Sequence, residues 1–498
     1  MNYAVEMTGI SKRFGAVQAL DSVDLHVKAG AIHALVGENG AGKTTLMKIL
    51  YGALHPDSGQ LSVKGSSTEF RSSAQAIAAG VGMVSQHYGI IPELSCLQNL
   101  MLGAEDGPII RSEEARQRAE ELARSMGFRF DWNADASLLS PAAAQKLEIL
   151  KLLWRKAEIM ILDEPTAMLS RADGDALFHS LRKLTEDGAT VILVTHRLPE
   201  VFDHCSQVTV LRGGKRVAEK AVFETSKNEL AELIVGKALE SNEVRNPELG
   251  STRLQITRLQ VFNDRGAEAL KSINLEVKSG EIVGIAGVDG SGQRELVQSL
   301  VGTRPISQGT ITFDDLPISS ESPAMRIAAG LRLIPEDRHE DGVIEEWSLE
   351  ENAALGLQRL FPFSKKGKID IRRRAEEAAK IAQRFSTKHG GLAQPMSSLS
   401  GGNQQRFVAA RALDIEPKLI VAFQPARGLD LAATAEVYRG IRDACSAGAC
   451  ALVVSFDLDE LLENCDRVVA MNRGEVFEPP PNKELDRDAI GRLMVGAQ

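Results

Sequence analysis

The chain of 498 residues has no apolar run that approaches the ~20 residues a membrane-spanning helix needs; stretches such as 159–162, 191–194 and 452–454 are of strand length. Its first 14 residues hold no apolar segment of signal-peptide size. Five cysteines (Cys96, Cys205, Cys445, Cys450 and Cys465) show no metal-ligand spacing, so they are expected to be reduced side chains and not a disulfide framework. Basic residues are outnumbered, 58 Lys and Arg against 67 Asp and Glu, and the net charge of −9 excludes a global attraction to nucleic acid or anionic membrane. These absences predict a soluble cytoplasmic protein that reaches a membrane only through a partner.

What is present is a loop that occurs twice. Gly37-Glu38-Asn39-Gly40-Ala41-Gly42-Lys43-Thr44 is a complete G-x-x-x-x-G-K-[ST] phosphate loop. Gly287-Val288-Asp289-Gly290-Ser291-Gly292-Gln293-Arg294 keeps its glycines but has lost the Lys and the Ser/Thr. From 37 to 287 the offset is 250, and Lys28-Ala29-Gly30 returns at the same offset as Lys278-Ser279-Gly280. Further on the offset is 260, pairing Glu164-Pro165 with Gln424-Pro425 and Thr195-His196 with Ser455-Phe456. The extra residues are expected in a loop near 360–369. The chain exceeds the ~250–300 residues at which single cores stop growing. It therefore reads as two domains, 1–240 and 253–498, joined by a short linker at 241–252 rich in Glu, Asn, Pro and Gly.

Each copy has an α/β pattern. Buried-type strands are predicted at 32–36, 158–162, 190–195, 282–286, 418–422 and 450–455, with a helix from Thr44 to Leu50 after the first loop. Amphipathic helices are predicted over 111–127 and 371–385. The basic cluster of Lys365, Lys366, Arg372, Arg373 and Arg374 reads as the solvated start of the latter.

The first loop carries specific chemistry. Backbone N–H groups around Gly40, Ala41, Gly42 and Lys43 form an anion nest at a helix N-terminus. Lys43 is placed to reach the β- and γ-phosphates, and the Thr44 hydroxyl to ligate Mg²⁺. Asp163 and Glu164 close an apolar strand, where a metal-binding carboxylate and a water-activating one are useful. Together these residues read as a nucleotide hydrolase.

The pieces resemble one family, the ATP-binding-cassette (ABC) ATPases. Leu399-Ser400-Gly401-Gly402-Asn403-Gln404-Gln405 is similar to that family's signature motif. The resemblance implies an α/β fold of two tandem ABC-type nucleotide-binding domains, each with a mixed-sheet core and a helical subdomain, and ATP with Mg²⁺ as cofactors. It implies that Phe14 stacks on adenine and that residues 37–45, from Gly37 to Thr45, hold the phosphates. It makes Gln86 a sensor of Mg²⁺ and the attacking water, Glu164 the base, and His196 the switch histidine on the γ-phosphate. Metal ligands would be Thr44, Gln86 and Asp163.

Family members work as head-to-tail pairs, each site joining one domain's phosphate loop to the other's signature. One composite site would then unite Lys43, Thr44, Gln86, Asp163, Glu164 and His196 with Ser400, Gly401, Gly402 and Asp430, all competent. The other would have Gln293, Arg294, Glu336, Phe423, Gln424 and Phe456, facing an eroded signature, Leu139-Ser140-Pro141-Ala142-Ala143, with Ser170 at the D-loop position. The losses fall on one site. Within the family, a second loop ending Gly-Gln and the stretch Ile334-Pro335-Glu336-Asp337-Arg338 resemble the ATPases of bacterial importers for nucleosides and simple sugars. Gln424-Pro425 with Arg427-Gly428-Leu429-Asp430, and Leu50-Tyr51-Gly52, lean to the nucleoside branch, and sugars are the alternative. The eroded first signature departs from that group's pattern and puts ATP binding at the second site in doubt.

The same resemblance implies two transmembrane permease subunits, an extracytoplasmic binding protein, and a peripheral position on the cytoplasmic face of the cell membrane. The segments 87–102 and 337–355 would dock the permeases; no nucleic acid is expected. A soluble tandem ABC ATPase acting on ribosomes or DNA is the reading from a different class.

Overall fold

A computed structural model describes residues 2–15, 17–85, 89–104, 112–166, 169, 171–236, 249–478 and 487–494. Gln86, Ser170, His87 and the linker residues 241–248 lie outside the described residues. The chain divides into two compact units, Met1–Leu239 and Glu240–Gln498.

In the first unit a six-stranded sheet runs in spatial order Lys215–Ala221, Gln207–Arg212, Ile32–Gly37, Thr190–Val194, Ile159–Asp163, Val81–Val84. All neighbours are parallel except the outer pair Lys215–Ala221 and Gln207–Arg212. Its central strands are buried along their whole length and apolar but for His33, Asp163 and Thr190, as parallel strands covered on both faces are. A four-stranded antiparallel sheet of Val17–Lys28, Tyr3–Phe14, Ser58–Val63 and Ser66–Thr68 covers one side, meeting the loop helix Lys43–Leu50 in a core that includes Met7, Leu25, Leu46 and Ile161. Three helices, Cys96–Met101, Ser112–Ser125 and Pro141–Trp154, form a helical layer of their own.

The second unit repeats this plan. Its six strands lie in the order Leu331–Ile334, Leu419–Phe423, Cys450–Ser455, Ile282–Ala286, Arg467–Asn472, Glu475–Phe477, and its antiparallel sheet is Glu268–Lys278, Thr252–Phe262, Gln308–Phe313, Leu316–Pro317. Its helical layer is Leu349–Ala353, Ile371–Arg384 and Gly401–Asp414. The fold is thus α/β, two units of the same plan with mixed sheets.

Two expectations need correction. The strands predicted at 158–162 and 418–422 are Ile159–Asp163 and Leu419–Phe423, one residue later, because Asp163 and Phe423 still pair with Val194 and Val454. The segment expected to be a loop near 360–369 contains a hairpin, Ser364–Lys365 against Lys368–Ile369. Lys366 and Gly367 supply the two left-handed residues (φ 52° and 77°) that a tight two-residue turn requires.

Phe407, fully buried on Gly401–Asp414, anchors the second helical layer among Phe363, Ile381 and Tyr438. Phe407→Ala is expected to cost about 3–5 kcal/mol, read as a lower urea midpoint for unfolding of the second unit.

Candidate functional site

The first phosphate loop leaves the carboxyl end of the sheet's strand Ile32–Gly37, where ligands bind in open α/β sheets. Gly37 has φ 156°, and a Cβ there would stand 2.2 Å from the Leu211 carbonyl oxygen, so the loop exits only through glycine. At Gly42 (φ 101°) a Cβ would meet the Leu20 side chain at 2.6 Å and the Ala19 carbonyl at 2.7 Å. Between them Glu38 is half-buried and Asn39 exposed, and the Ala41 amide donates to the Glu38 carbonyl at 3.1 Å. Lys43 opens the helix and is buried; its ammonium donates to the carbonyls of Gly37 (2.7 Å) and Glu38 (3.0 Å), wrapping the loop around its own charge. Thr45 is half-buried one residue beyond Thr44.

The acidic pair arrives from the strand Ile159–Asp163. The Thr44 hydroxyl donates to the Asp163 carboxylate at 3.2 Å. Asp163 is buried, and burial first and the charge of Glu164 second push its carboxyl up to about 6, against the opposing pull of Thr44 and Lys43. Glu164 takes a left-handed backbone (φ 52°), its amide held by the Val194 carbonyl at 2.9 Å. Its carboxylate accepts from His196 Nδ1 at 2.8 Å. Burial alone would raise the Glu164 carboxyl, but the His196 hydrogen bond with the nearby charges of Lys43 and Arg197 outweighs it and holds the group below its ordinary value. The structure therefore brings together Lys43, Thr44, Asp163, Glu164 and His196, with two neighbouring carboxyls driven in opposite directions.

Sequence reasoning missed the support behind them. Glu200, buried on Leu198–His204, accepts from the Thr195 hydroxyl at 2.7 Å and from the Thr166 hydroxyl, tying the residue before His196 to the segment after Glu164. The repeat offset held the signal: Glu200 falls opposite Glu460, which accepts from Ser455 and from Tyr438, both at 2.6 Å.

In the second unit the same frame carries other groups. Gln293 takes the place of Lys43, buried, with its amide donating to the Val288 carbonyl at 3.1 Å. Gln424 repeats the left-handed backbone (φ 53°) and the amide bond to the next strand, Val454 O at 2.8 Å. Phe423 and Phe456 replace the acid and the histidine and pack edge to face, ring centroids 5.9 Å apart. Arg294 donates to Glu336 at 2.7 Å, and Arg427 approaches the same carboxylate at 3.7 Å.

The signature positions differ in the same sense. Ser400 starts Gly401–Asp414 without capping its amides and instead accepts from the Asn403 side chain at 2.9 Å. A Cβ at Gly401 would lie 2.5 Å from the Arg338 guanidinium; Gly402 follows, half-buried. Asp430, buried, caps Leu431–Ser446 through the Ala433 amide at 2.9 Å. In the first unit Ser140 uses its hydroxyl on its own helix (Ala143 amide, 3.2 Å), and Pro141 removes a first-turn N–H. Phe14 ends the strand Tyr3–Phe14, half exposed, with the Lys12 ammonium 5.7 Å from its ring centre.

A model of the ABC transporter family matches residues 20–167 and 270–426, spanning both phosphate loops and both strand-end pairs. The chain belongs to the ABC transporter family. It is 36% identical over 495 residues to the nucleoside import ATP-binding protein NupA of Lactococcus lactis subsp. cremoris, covering 99% of this chain and 98% of that one. It is 35% identical over 496 residues to the ribose import ATP-binding protein RbsA of Halalkalibacterium halodurans, covering 99% and 98%. The solved structure of RNase-L Inhibitor aligns with a TM-score of 0.68 over 98% of this chain and 93% of that one, at 19% identity, a likeness of fold alone. The chain is an ATP-binding ATPase coupled to transport. No helix among the described residues is long and apolar enough to cross a membrane.

The Asp163 carboxyl holds its proton more firmly in the folded chain (about 6) than in the unfolded one, where it has the ordinary aspartate value. Its contribution therefore favours the folded state below its unfolded value, and that advantage is lost as pH rises through 6. Asp163→Asn is expected to raise the thermal midpoint of the nucleotide-free protein at pH 7.5 and to leave it unchanged near pH 3.5, as read by calorimetry at the two pH values.

Proposed function

We propose that this chain is the energy-coupling subunit of an importer for nucleosides, with one hydrolytic ATP site, built on the first phosphate loop, and one degenerate site. A single observation carries the hydrolytic assignment. Around the first loop, Thr44 meets Asp163 at 3.2 Å and Glu164 meets His196 at 2.8 Å, whereas the second unit fills the matching positions with Phe423 packed on Phe456.

The residues present fit Mg²⁺ and a nucleotide triphosphate. A hydroxyl and a carboxylate converge beside an amide-rich loop and a lysine, a hard-oxygen set of the kind Mg²⁺ takes alongside substrate phosphates. The metal, when bound, would neutralise charge shared between the phosphates. Thr44 and Asp163, joined by Gln86, would hold it, and ionised Asp163 is the form that serves. Lys43 would exchange its loop carbonyls for phosphate oxygens. Glu164, kept ionised by His196, orients and polarises the attacking water, and His196 stands ready for the γ-phosphate. Phe14 offers a ring to the adenine. Ser400, Gly401 and Gly402, with Asp430, would complete the site from the second half in a head-to-tail pairing that ATP closes and hydrolysis reopens.

Two permease subunits and an extracytoplasmic binding protein complete the machine, with this chain on the cytoplasmic face of the membrane. A cleft of about 300 Å³ in the first unit, lined by Tyr51, Ser85, Gly89, Lys151 and Arg155, supports docking of a permease helix near the start of the 87–102 segment. Gln424 in its Gln-Pro setting supports nucleosides as cargo. Sugars remain the second reading, because the ribose-importer relative is as similar to this chain as the nucleoside one, 35% against 36%.

Glu164→Gln is expected to lower the ATPase rate by about 100-fold or more while retaining ATP, and Gln293→Ala to leave the rate within about twofold, both read as phosphate release under saturating Mg·ATP. Equal rates for Glu164→Gln and the parent would remove Glu164 as the base. In source cells, Lys43→Ala is expected to abolish uptake of labelled nucleosides and spare labelled pentoses; the reverse outcome assigns sugars as cargo.

A further inference from the structure

The hairpin at 364–369 falls where the repeat offset changes from 250 to 260, in the stretch where the second half carries extra residues. Its root is fixed. Phe363 is fully buried in the helical core, the Asp370 amide donates to the Phe363 carbonyl and the Ser364 amide to the Leu360 carbonyl, each at 2.9 Å. Its tip is chemically costly. The register sets Lys365 directly opposite Lys368, with Lys366 in the turn between them. Like charges facing one another across a strand pair are destabilising. All three lysines are exposed and form no ion pair among the described residues.

On the hairpin and beside its root in sequence are three large apolar side chains left in water: Phe361 is 72% exposed, Ile369 51% and Ile371 67%. The Arg373 guanidinium lies 5.1 Å from the centre of the Phe361 ring, so a basic and an apolar side chain of the segment meet. A solvated helix start, the reading from sequence, accounts for Arg372, paired with Glu376 at 3.4 Å, and for Arg374, 3.8 Å from Glu350. It accounts neither for Lys365 against Lys368 nor for the exposed apolar residues. On a chain of net charge −9, a positive patch with apolar side chains is a local construction.

We infer that segment 361–373 is a membrane-surface contact. Its lysines bind anionic lipid headgroups, and Phe361, Ile369 and Ile371 seat at the headgroup boundary. A bilayer surface offers both halves of the complement, negative charge and an apolar layer just beneath it, whereas a nucleic-acid backbone offers only the charge. The inference rests on the transport reading for bringing the chain to a membrane, and it gives the chain a direct hold there in addition to its partners.

The test is co-sedimentation of the full-length protein with vesicles of phosphatidylcholine alone or mixed with phosphatidylglycerol. Wild type is expected to bind the mixed vesicles only, and K365E/K366E/K368E to lose on the order of 100-fold in partitioning, about fivefold per lysine. A second variant, F361S/I369S/I371S, is expected to bind more weakly and to be released at lower salt. Unaltered ATP hydrolysis by both variants shows that the fold is intact. Equal binding to the two vesicle types, binding by neither, or full binding by the lysine variant overturns the inference, as does vesicle binding that appears only when permease subunits are present. If the hairpin binds anionic vesicles while Lys43→Ala leaves uptake of both cargo classes unchanged, the importer reading fails and this one stands.

Discussion

The arrangement around the first loop depends on one backbone constraint at the end of the strand Ile159–Asp163. Glu164, not a glycine, is held left-handed at φ 52°, a conformation that costs on the order of 1–3 kcal/mol and persists only where the surroundings over-determine it. Here the surroundings are the Val194 carbonyl, which receives the Glu164 amide, and the buried Glu200, which binds hydroxyls on both sides of the site. The turn sends Asp163 to Thr44 and Glu164 to His196, two successive residues with two destinations. An extended residue at 164 would continue the strand and separate the carboxylates from the loop.

The second unit shows that this constraint belongs to the frame and not to the chemistry. Gln424 has the same φ and the same amide bond, and Glu460 holds Ser455 as Glu200 holds Thr195. What changes is the filling. Asp163 is buried beside the charge of Glu164, and the first unit tolerates this cost, which appears as the raised carboxyl of Asp163, through burial first and Glu164 second. With phenylalanine at 423 and 456 the second unit carries an apolar contact at those positions instead. Sites of function commonly keep such locally unfavourable choices. The contrast within one chain separates the two contributions, because the folding environment is nearly the same.

Much of this was legible in the sequence. Continuous apolar runs announce parallel strands buried on both faces, and both loops and both strand-end pairs follow those strands, whereas the signature segments open the helices Pro141–Trp154 and Gly401–Asp414, which the motif reading did not include. The antiparallel sheets at 3–28 and 252–278 were not read, since their alternation is broken by register shifts at Ile10 and Leu259. The hairpin at 364–369 escaped because strands of two residues carry no periodicity. The Glu164–His196 bond joins residues 32 apart and depends on a backbone angle that composition does not encode. Glu200 was hidden for a different reason: an acidic residue at a helix start reads as a surface charge, and only its hydroxyl partners reveal it as buried.

The same physics makes the chemistry missing from the second unit hard to regain one residue at a time. A lysine at 293 would enter a loop without the carboxylates that make its charge useful, and would have to match the amide bond that Gln293 gives to Val288. An aspartate at 423 would lose the contact with Phe456 and bury a carboxylate with neither a threonine hydroxyl nor a histidine beside it, and a buried unpaired charge is among the most costly changes a core can take. Glu336, already bound by Arg294 and approached by Arg427, would have to release both before its place could serve a metal. Each step is unfavourable until the others are made. The two units can therefore share a strand order and the same turn after the strands Ile159–Asp163 and Leu419–Phe423 and still hold different chemistry, because that frame is fixed by hydrogen bonds common to both and the site by side chains that stabilise one another only as a set.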